Sequence, residues 1–313
     1  MYFGEDTTIP CKRKGIVMIT FKKIELEDRE WIEARLKESD YRSCDYSFVN
    51  NYIWREANHV EYANVNNFYC LKSGKGEHQI YTYPAGIGDI KSVIETLIED
   101  ARERDITFRL RGMTKEATEL LEELFPGRFS VTLPREECDY LYLTERLTTL
   151  AGKKLHGKRN HIARFKDDPN WVYEEITRDN IDECFEMNKR WCKVYECNSS
   201  KSLQHEYCAV KRAFDNYFDL GLVGGLLRRD GEVIAYTMGE PLSSDTFVVH
   251  IEKSFVDIQG AYPMINQQFV IHNCQDYLYV NREEDLGDEG LRKAKLSYYP
   301  DLLLEKYIAT LNV

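Results

Sequence analysis

The sequence lacks several features that would each have pointed to a class of function. No stretch reaches the ~20 apolar residues needed to span a bilayer, and charges stand where a signal peptide needs an apolar core, so a cytoplasmic chain is expected. The nine cysteines are an odd number and contain no CxxC pair, and a chain of 313 residues needs no disulfide staples, so reduced thiols are expected. Cys184, Cys192, Cys197, His205 and Cys208 crowd one stretch, but cysteine spacings of eight, five and eleven match no closed zinc pattern, and no metal is expected. Basic residues are in deficit: 42 Lys plus Arg against 53 Asp plus Glu give a net charge of −11. That excludes a surface that coats DNA or anionic membrane as a whole. A phosphate loop is missing too, since PAGIGD (84–89) has glycines without the lysine and spacing such a loop requires, and reads as a helix cap at Asp89.

What is present is an ordinary globular composition, 43% hydrophobic and 30% charged, at a length that predicts two domains. Residues 1–17 carry neither helical nor strand period and read as a loose leader, with Met18 as an alternative start to Met1. The remainder divides into 18–145 and 146–313. In each part the patterns follow one order: a strand, two helices, three antiparallel strands, a helix, a strand, a helix and a strand. In the second part the meander is LVGGLLR, EVIAYTMG and TFVVHIEK, turning first at Arg229-Asp230-Gly231. A helix follows Gly260 and runs to about residue 273, and the chain is expected to close with a strand-like KLSYY and a helix over 301–311. A meander with one crossover helix gives an α+β mixed sheet covered by helices on both faces. The order resembles the Gcn5-related N-acetyltransferase fold, here in tandem.

Three stretches carry candidate chemistry. KKLHGKRNHIARFK (153–166) holds six Lys or Arg, two His and no acid. As a helix it would bury Leu155, Ile162 and Phe165 and turn Lys158 toward the same side, where a lysine needs a partner or a substrate. Either Lys154, Lys158, Arg159 and Asn160 hold a donor's phosphate, or the segment is a solvated linker. HIEKSFVDIQGAYPMINQQF (250–269) covers the last meander strand and the next helix entry. His250 and Glu252 share a face by period two, and either could accept a proton from an attacking amine, or His250 could simply end the strand. The helix entry at Gly260 and Tyr262 would face donor phosphate. It lacks the Gln/Arg-x-x-Gly-x-Gly/Ala spacing of an acetyl-CoA cradle. YVNREEDLGDEGLRKAKLSYYPD (279–301) places Asn281, Asp285, Arg292, Lys295 and Tyr298 at a sheet edge, where with Lys253 they could hold an amino-acid substrate; a charge-ordered helix would give the same pattern.

KKLHGKRNHIARF, HIEKSF…IQGAYPMINQQF and NREEDLGDEGLRKAKLSYYP resemble the signature segments of the family that includes the C-terminal catalytic domain of lysylphosphatidylglycerol synthase, over roughly residues 19–310. The resemblance implies a tandem acyltransferase fold, related in shape to the Fem aminoacyltransferases, whose best-known members transfer lysine from charged tRNA to phosphatidylglycerol without a covalent enzyme intermediate. It marks Lys154, Lys158, Arg159, Asn160, Glu252, Lys253, Asn281, Asp285, Gly287, Arg292 and Lys295 as site positions. The expectation is an acyl- or aminoacyltransferase with no tightly bound cofactor and its site in the second copy. Glu252 is the expected proton acceptor, the donor aminoacyl-tRNA or acyl-CoA, and the acceptor a small molecule, lipid or peptide. Its rivals are a CoA-dependent N-acyltransferase and a binding module without turnover.

Overall fold

A computed structural model describes residues 11–13, 16–197 and 200–312. The chain forms two compact units, one running to residue 137 and taking back the segment from 305 onward, the other spanning 138–304. The first is built on a seven-stranded sheet in the order Lys22–Lys23, Glu61–Val65, Phe68–Ser73, Ile80–Thr82, Arg109–Met113, Tyr307–Leu311, Phe129–Thr132. The sheet of the second runs Trp171–Glu175, Val223–Arg229, Glu232–Pro241, Thr246–Ser254, Tyr279–Asn281, Asp139–Leu143, Leu302–Leu304. In both, the fourth and fifth strands are parallel and every other pair antiparallel. A crossover helix joins that parallel pair, Ile90–Glu103 in one and Ala261–Asn273 in the other. The duplicated mixed sheet expected from the order of patterns is therefore present.

Its boundaries differ from the expected break at 145/146, because the sixth strand of each sheet comes from the other half of the chain. Asp139–Leu143 pairs with Tyr279–Asn281 and Leu302–Leu304, whereas Tyr307–Leu311 pairs with Arg109–Met113 and Phe129–Thr132. Periodicity along the chain says what a segment is and nothing about which sheet receives it. The helix expected over 301–311 is accordingly two strands, with Ala309 fully buried between its two neighbours. Short apolar runs fit either period, and pairing on both edges decides. In the leader, Cys11–Arg13 and Ile16–Met18 are short strands that pair antiparallel with each other. Residues 1–10 and 14–15 lie outside the described residues.

Within the second unit, local chemistry sets the turns. Asp230 and Gly231 both take positive φ, 51° and 83°, between residues Arg229 and Glu232, the two-residue hairpin an Asp-Gly pair favours. The basic segment forms the helix His156–Lys166, preceded by Leu155, and Leu155, Ile162 and Phe165 are buried as its apolar spacing requires. They join Phe247, Val249, Val280, Met264 and Phe269 in one core over one face of the sheet, each such side chain contributing about 1.5–3 kcal/mol by leaving water. On the other face lie the helices Ile181–Val194 and Lys201–Asp215; Tyr236 donates to Asn188 Oδ1 at 2.8 Å and Trp191 Nε1 to the Ser254 carbonyl at 3.0 Å. Gly260 caps the helix Ala261–Asn273 at φ 87°, and a Cβ there would lie 2.3 Å from the His161 carbonyl oxygen. Only glycine lets the two helices approach so closely.

The returning strand makes a prediction of its own. A chain ended after Leu304 leaves both Arg109–Met113 and Phe129–Thr132 with an open edge. It should lose the cooperative unfolding of the first unit and aggregate, as read by size exclusion and thermal unfolding; a monomer with parental unfolding would show the strand to be dispensable.

Candidate functional site

The parallel strands of the second unit pair only at Thr246/Tyr279, Phe247/Val280 and Val248/Asn281; Thr246–Ser254 then runs six residues beyond its last paired position. A bulge lies just past the point of parting. Ile251 pairs with Met238 and Val249 with Gly239, so His250 is an extra residue. Gly239 permits this, since a Cβ there would lie 2.0 Å from the Val248 carbonyl oxygen.

The bulge separates the two residues expected to share a face. Phe247 and Val249 point into the core that includes Met264 and Phe269, and Glu252, displaced by one, faces the same side. Its Oε2 accepts from Asn266 Nδ2 on the crossover helix at 2.9 Å, and its Oε1 from Arg282 Nη2 at 2.9 Å. Arg282 comes immediately after the short parallel strand, so the pair bridges the gap where the strands part. A carboxylate only accepts, which fixes the Asn266 amide with its Oδ1 turned away. That Oδ1 and Arg282 Nη1 are both buried without a hydrogen-bond partner, and Asn266 is only 2% exposed. Burial is the largest influence on the Arg282 guanidinium and pulls it down, but Glu252 together with Tyr298 and Tyr142 outweighs it, and the group is held above its ordinary value.

Two aromatic residues and a lysine complete this side. The buried Tyr298 ring lies 4.8 Å from the Arg282 guanidinium and 4.0 Å from Lys158 Nζ. Lys158 is half-buried; burial, with Arg282 beside it and Glu252 acting in the opposite sense, pulls its ammonium down to about 8. Burial, with Glu252 nearby, pushes the Tyr262 hydroxyl up to about 12.

His250 instead faces Glu283 and Glu240, its Nδ1 2.8 Å from Glu283 Oε1 and its Nε2 3.2 Å from Glu240 Oε1. Burial alone would lower its pKa, yet the two carboxylates raise it to about 9, while burial pushes the Glu283 carboxyl upward. At neutral pH it is a cation clamped between two acids.

Other expected residues have partners of their own. Lys253 pairs with Glu206 and covers the Trp191 ring at 3.9 Å. Asn281 donates to Asp139 Oδ2 at 2.8 Å. Asp285 accepts a fork from Arg292, at 2.9 and 2.8 Å, together with Tyr140 Oη at 2.6 Å and the Gly287 N–H at 2.9 Å. The Arg292 fork holds the Asp285 carboxyl well below the usual carboxylate range. Arg292 is thus committed inside the loop rather than turned to a ligand. Lys295 donates to the Glu284 carbonyl, and burial lowers it. Arg159 donates to the carbonyls of Leu150 and Gly152, closing the turn before its helix. Asn160 is exposed and bonds His156. Lys154 lies 5.2 Å from the Tyr299 ring centroid and, with Lys153 and Arg146, lines a surface hollow at residues 143–154. At Gly260 and Tyr262 the helix entry is nearly spent: the Ala261 N–H bonds Ile258, Pro263 has none, and the Met264 N–H returns to Gly260.

Neither Arg282 nor Asn266 is among the residues marked by the motifs; the sequence carries a signal for Asn266 and for the turn of Glu252 toward it. Asn266 is a polar residue within the apolar run of a core helix, and Gly239 in a strand interior marks the bulge that turns Glu252 toward it.

The family model described as "Phosphatidylglycerol lysyltransferase, C-terminal" matches residues 36–310. A conserved protein of unknown function from Bacteroides thetaiotaomicron is 44% identical, with TM-score 0.90 over 94% of this chain and 100% of that one. L-PGS from Bacillus licheniformis superposes with TM-score 0.62 at 14% identity, over 91% of this chain and 92% of that one, and FemX with 0.59 at 8%, over 94% and 98%. These two likenesses bear out the tandem fold and its kinship in shape with the Fem proteins. An uncharacterized protein of Mycoplasmoides gallisepticum is 24% identical over 196 residues, 59% of this chain and 60% of its own length. Among the described residues no helix is long and apolar enough to cross a membrane.

The His250 clamp gives a signed pH dependence. Its folded value of about 9 lies above the ~6.5 of an unfolded histidine, so its stabilisation is complete below about pH 6.5 and lost as pH rises through 9. His250→Gln leaves two buried carboxylates without their cation and should cost about 3–5 kcal/mol at pH 6. The gap from wild type in urea unfolding should close toward pH 10; a gap constant with pH would exclude the clamp.

Proposed function

The chain belongs to the phosphatidylglycerol lysyltransferase C-terminal family, and from that premise we propose that it is an aminoacyltransferase whose donor is a charged tRNA. The observation that carries this reading is the pair of orphaned atoms around Glu252: a buried donor, Arg282 Nη1, and a buried acceptor, Asn266 Oδ1, held by one carboxylate where the strands part. An aminoacyl ester presents the complement, with a carbonyl oxygen to accept and an α-ammonium to donate. Arg282 receives the carbonyl and stabilises the negative charge that develops on its oxygen during attack, while Glu252 and Asn266 receive the ammonium.

No enzyme nucleophile is needed. Ser254, at the end of the strand, turns its hydroxyl to the Phe255 carbonyl, and the acceptor's own amine or hydroxyl attacks the ester carbon directly, releasing the tRNA's terminal hydroxyl. Lys153 and Lys154 in the hollow at 143–154 supply positive charge for the donor's backbone, whereas Arg146 beside them is paired with Asp301. An acyl-CoA donor fits less well, because the first three residues of the helix Ala261–Asn273 leave one uncommitted N–H, on Tyr262, where a pyrophosphate cradle needs several.

Incubation with tRNA charged with a mixture of labelled amino acids, in the presence of phospholipid vesicles, peptides or small amines, should release label from tRNA and pass it to one of these acceptors. Asn266→Leu, which removes the ammonium acceptor and keeps the bulk, should lower kcat/KM by about 10-fold or more, since a lost buried hydrogen bond to a charged group is worth ~1.5–3 kcal/mol. Consumption of CoA thioesters with charged tRNA untouched would overturn the reading.

A further inference from the structure

Lys158 is half-buried on the inner side of its helix, and no carboxylate of the described residues lies in ion-pairing distance of it. Its contact is the Tyr298 ring, which it shares with Arg282. Two cations on one ring, one of them permanently charged, is an arrangement that favours loss of the other's proton. The groups acting on Lys158 are Arg282, which lowers it, and Glu252, which raises it; the helix Ala261–Asn273 packed against it carries no Lys, Arg, Asp or Glu. Glu252 is placed differently. Both of its oxygens are engaged, and protonating it would leave the Arg282 guanidinium buried without its counter-ion.

We infer that Lys158, and not Glu252, accepts the proton of the attacking nucleophile, which makes it a catalytic residue rather than a holder of donor phosphate. The inference rests on the aminoacyl-transfer reading. The neutral amine of Lys158 takes the proton from the acceptor's N–H or O–H as the acceptor's lone pair bonds the ester carbon. The tetrahedral intermediate then breaks its C–O bond to the terminal ribose, and the Lys158 ammonium returns the proton to the departing oxygen. No proton is gained or lost overall, and no enzyme adduct forms. The position of Lys158 between burial and a fixed cation, near 8, suits this exchange at physiological pH.

Two measurements on the full chain test the inference. Competitive acetylation with trace acetic anhydride between pH 6 and 11, read by peptide mass spectrometry, should give Lys158 a half-reaction point near 8, with exposed lysines above 10. In transfer from charged tRNA, Lys158→Arg keeps the cation but cannot release its proton, so it should lose about 10²–10⁴-fold in rate. Lys158→Ala should lose as much, regain part with added ethylamine, and leave tRNA affinity and its salt dependence unchanged. Wild-type turnover in Lys158→Arg, or tRNA affinity lost in Lys158→Ala, would establish phosphate holding instead. If wild type consumes no charged tRNA, the aminoacyl reading falls and the labelling curve decides alone: half-reaction above pH 10 rejects Lys158 as a proton acceptor for any substrate, and half-reaction near 8 retains it.

Discussion

Two parallel strands that share only three residue pairs must part, and the Glu252–Arg282 ion pair spans the opening they leave. Taking two charges out of water costs several kcal/mol per ion, so a pair this buried persists only where other groups compensate. Asn266 donates to the carboxylate and the Tyr298 ring lies over the guanidinium. The compensation is incomplete, since one nitrogen of Arg282 and the amide oxygen of Asn266 remain unsatisfied. Those two atoms are where a ligand with the opposite pattern gains most.

The bulge at His250 sorts the acids and bases of this strand onto two faces. On one, His250 ties Glu240 to Glu283 and so links the third strand of the sheet to the residues after the fifth. On the other, Arg282, one residue from Glu283, is thereby presented to Glu252. The two clusters act as opposite sides of one joint: the first fixes the backbone at 282–283, and the second uses the side chain that this backbone projects. A histidine that carries charge well above neutrality suits the first role, because its two bonds to carboxylates do not come and go near physiological pH.

The first unit has a joint of its own at the equivalent place. Where its parallel strands Ile80–Thr82 and Arg109–Met113 end, the Tyr46 hydroxyl lies 3.1 Å from the Tyr83 carbonyl and 3.2 Å from that of Gly112. Beside this tyrosine Asp45 forms ion pairs with Lys306 at 3.0 Å and Arg111 at 3.3 Å, so charges gather at this end of the parallel pair as well.

The sequence by itself determined the three-strand meander and the crossover helix after it, the Asp-Gly hairpin, the buried stripe of Leu155, Ile162 and Phe165, and the inward turn of Lys158, because each depends on residues within one or two turns of chain; the strand expected at KLSYY, where the helix Glu289–Leu296 ends instead, shows where such local signals mislead. Glu252 and Lys158 are among the site positions that a family resemblance, carried by contiguous motifs, marked. Only the tertiary structure decided that Asp139–Leu143 and Tyr307–Leu311 exchange between sheets, that His250 and Glu252 face opposite ways, that Arg159 and Arg292 spend their charge on internal partners, and that Arg282 and Asn266 share one carboxylate. The reason is physical: a residue's neighbours along the chain fix its periodicity, whereas one unpaired residue in a strand reverses every side chain after it. Which charges then meet is set by groups 14 to 30 positions apart, as for Glu252 with Asn266 and Arg282, a separation over which no local pattern carries information.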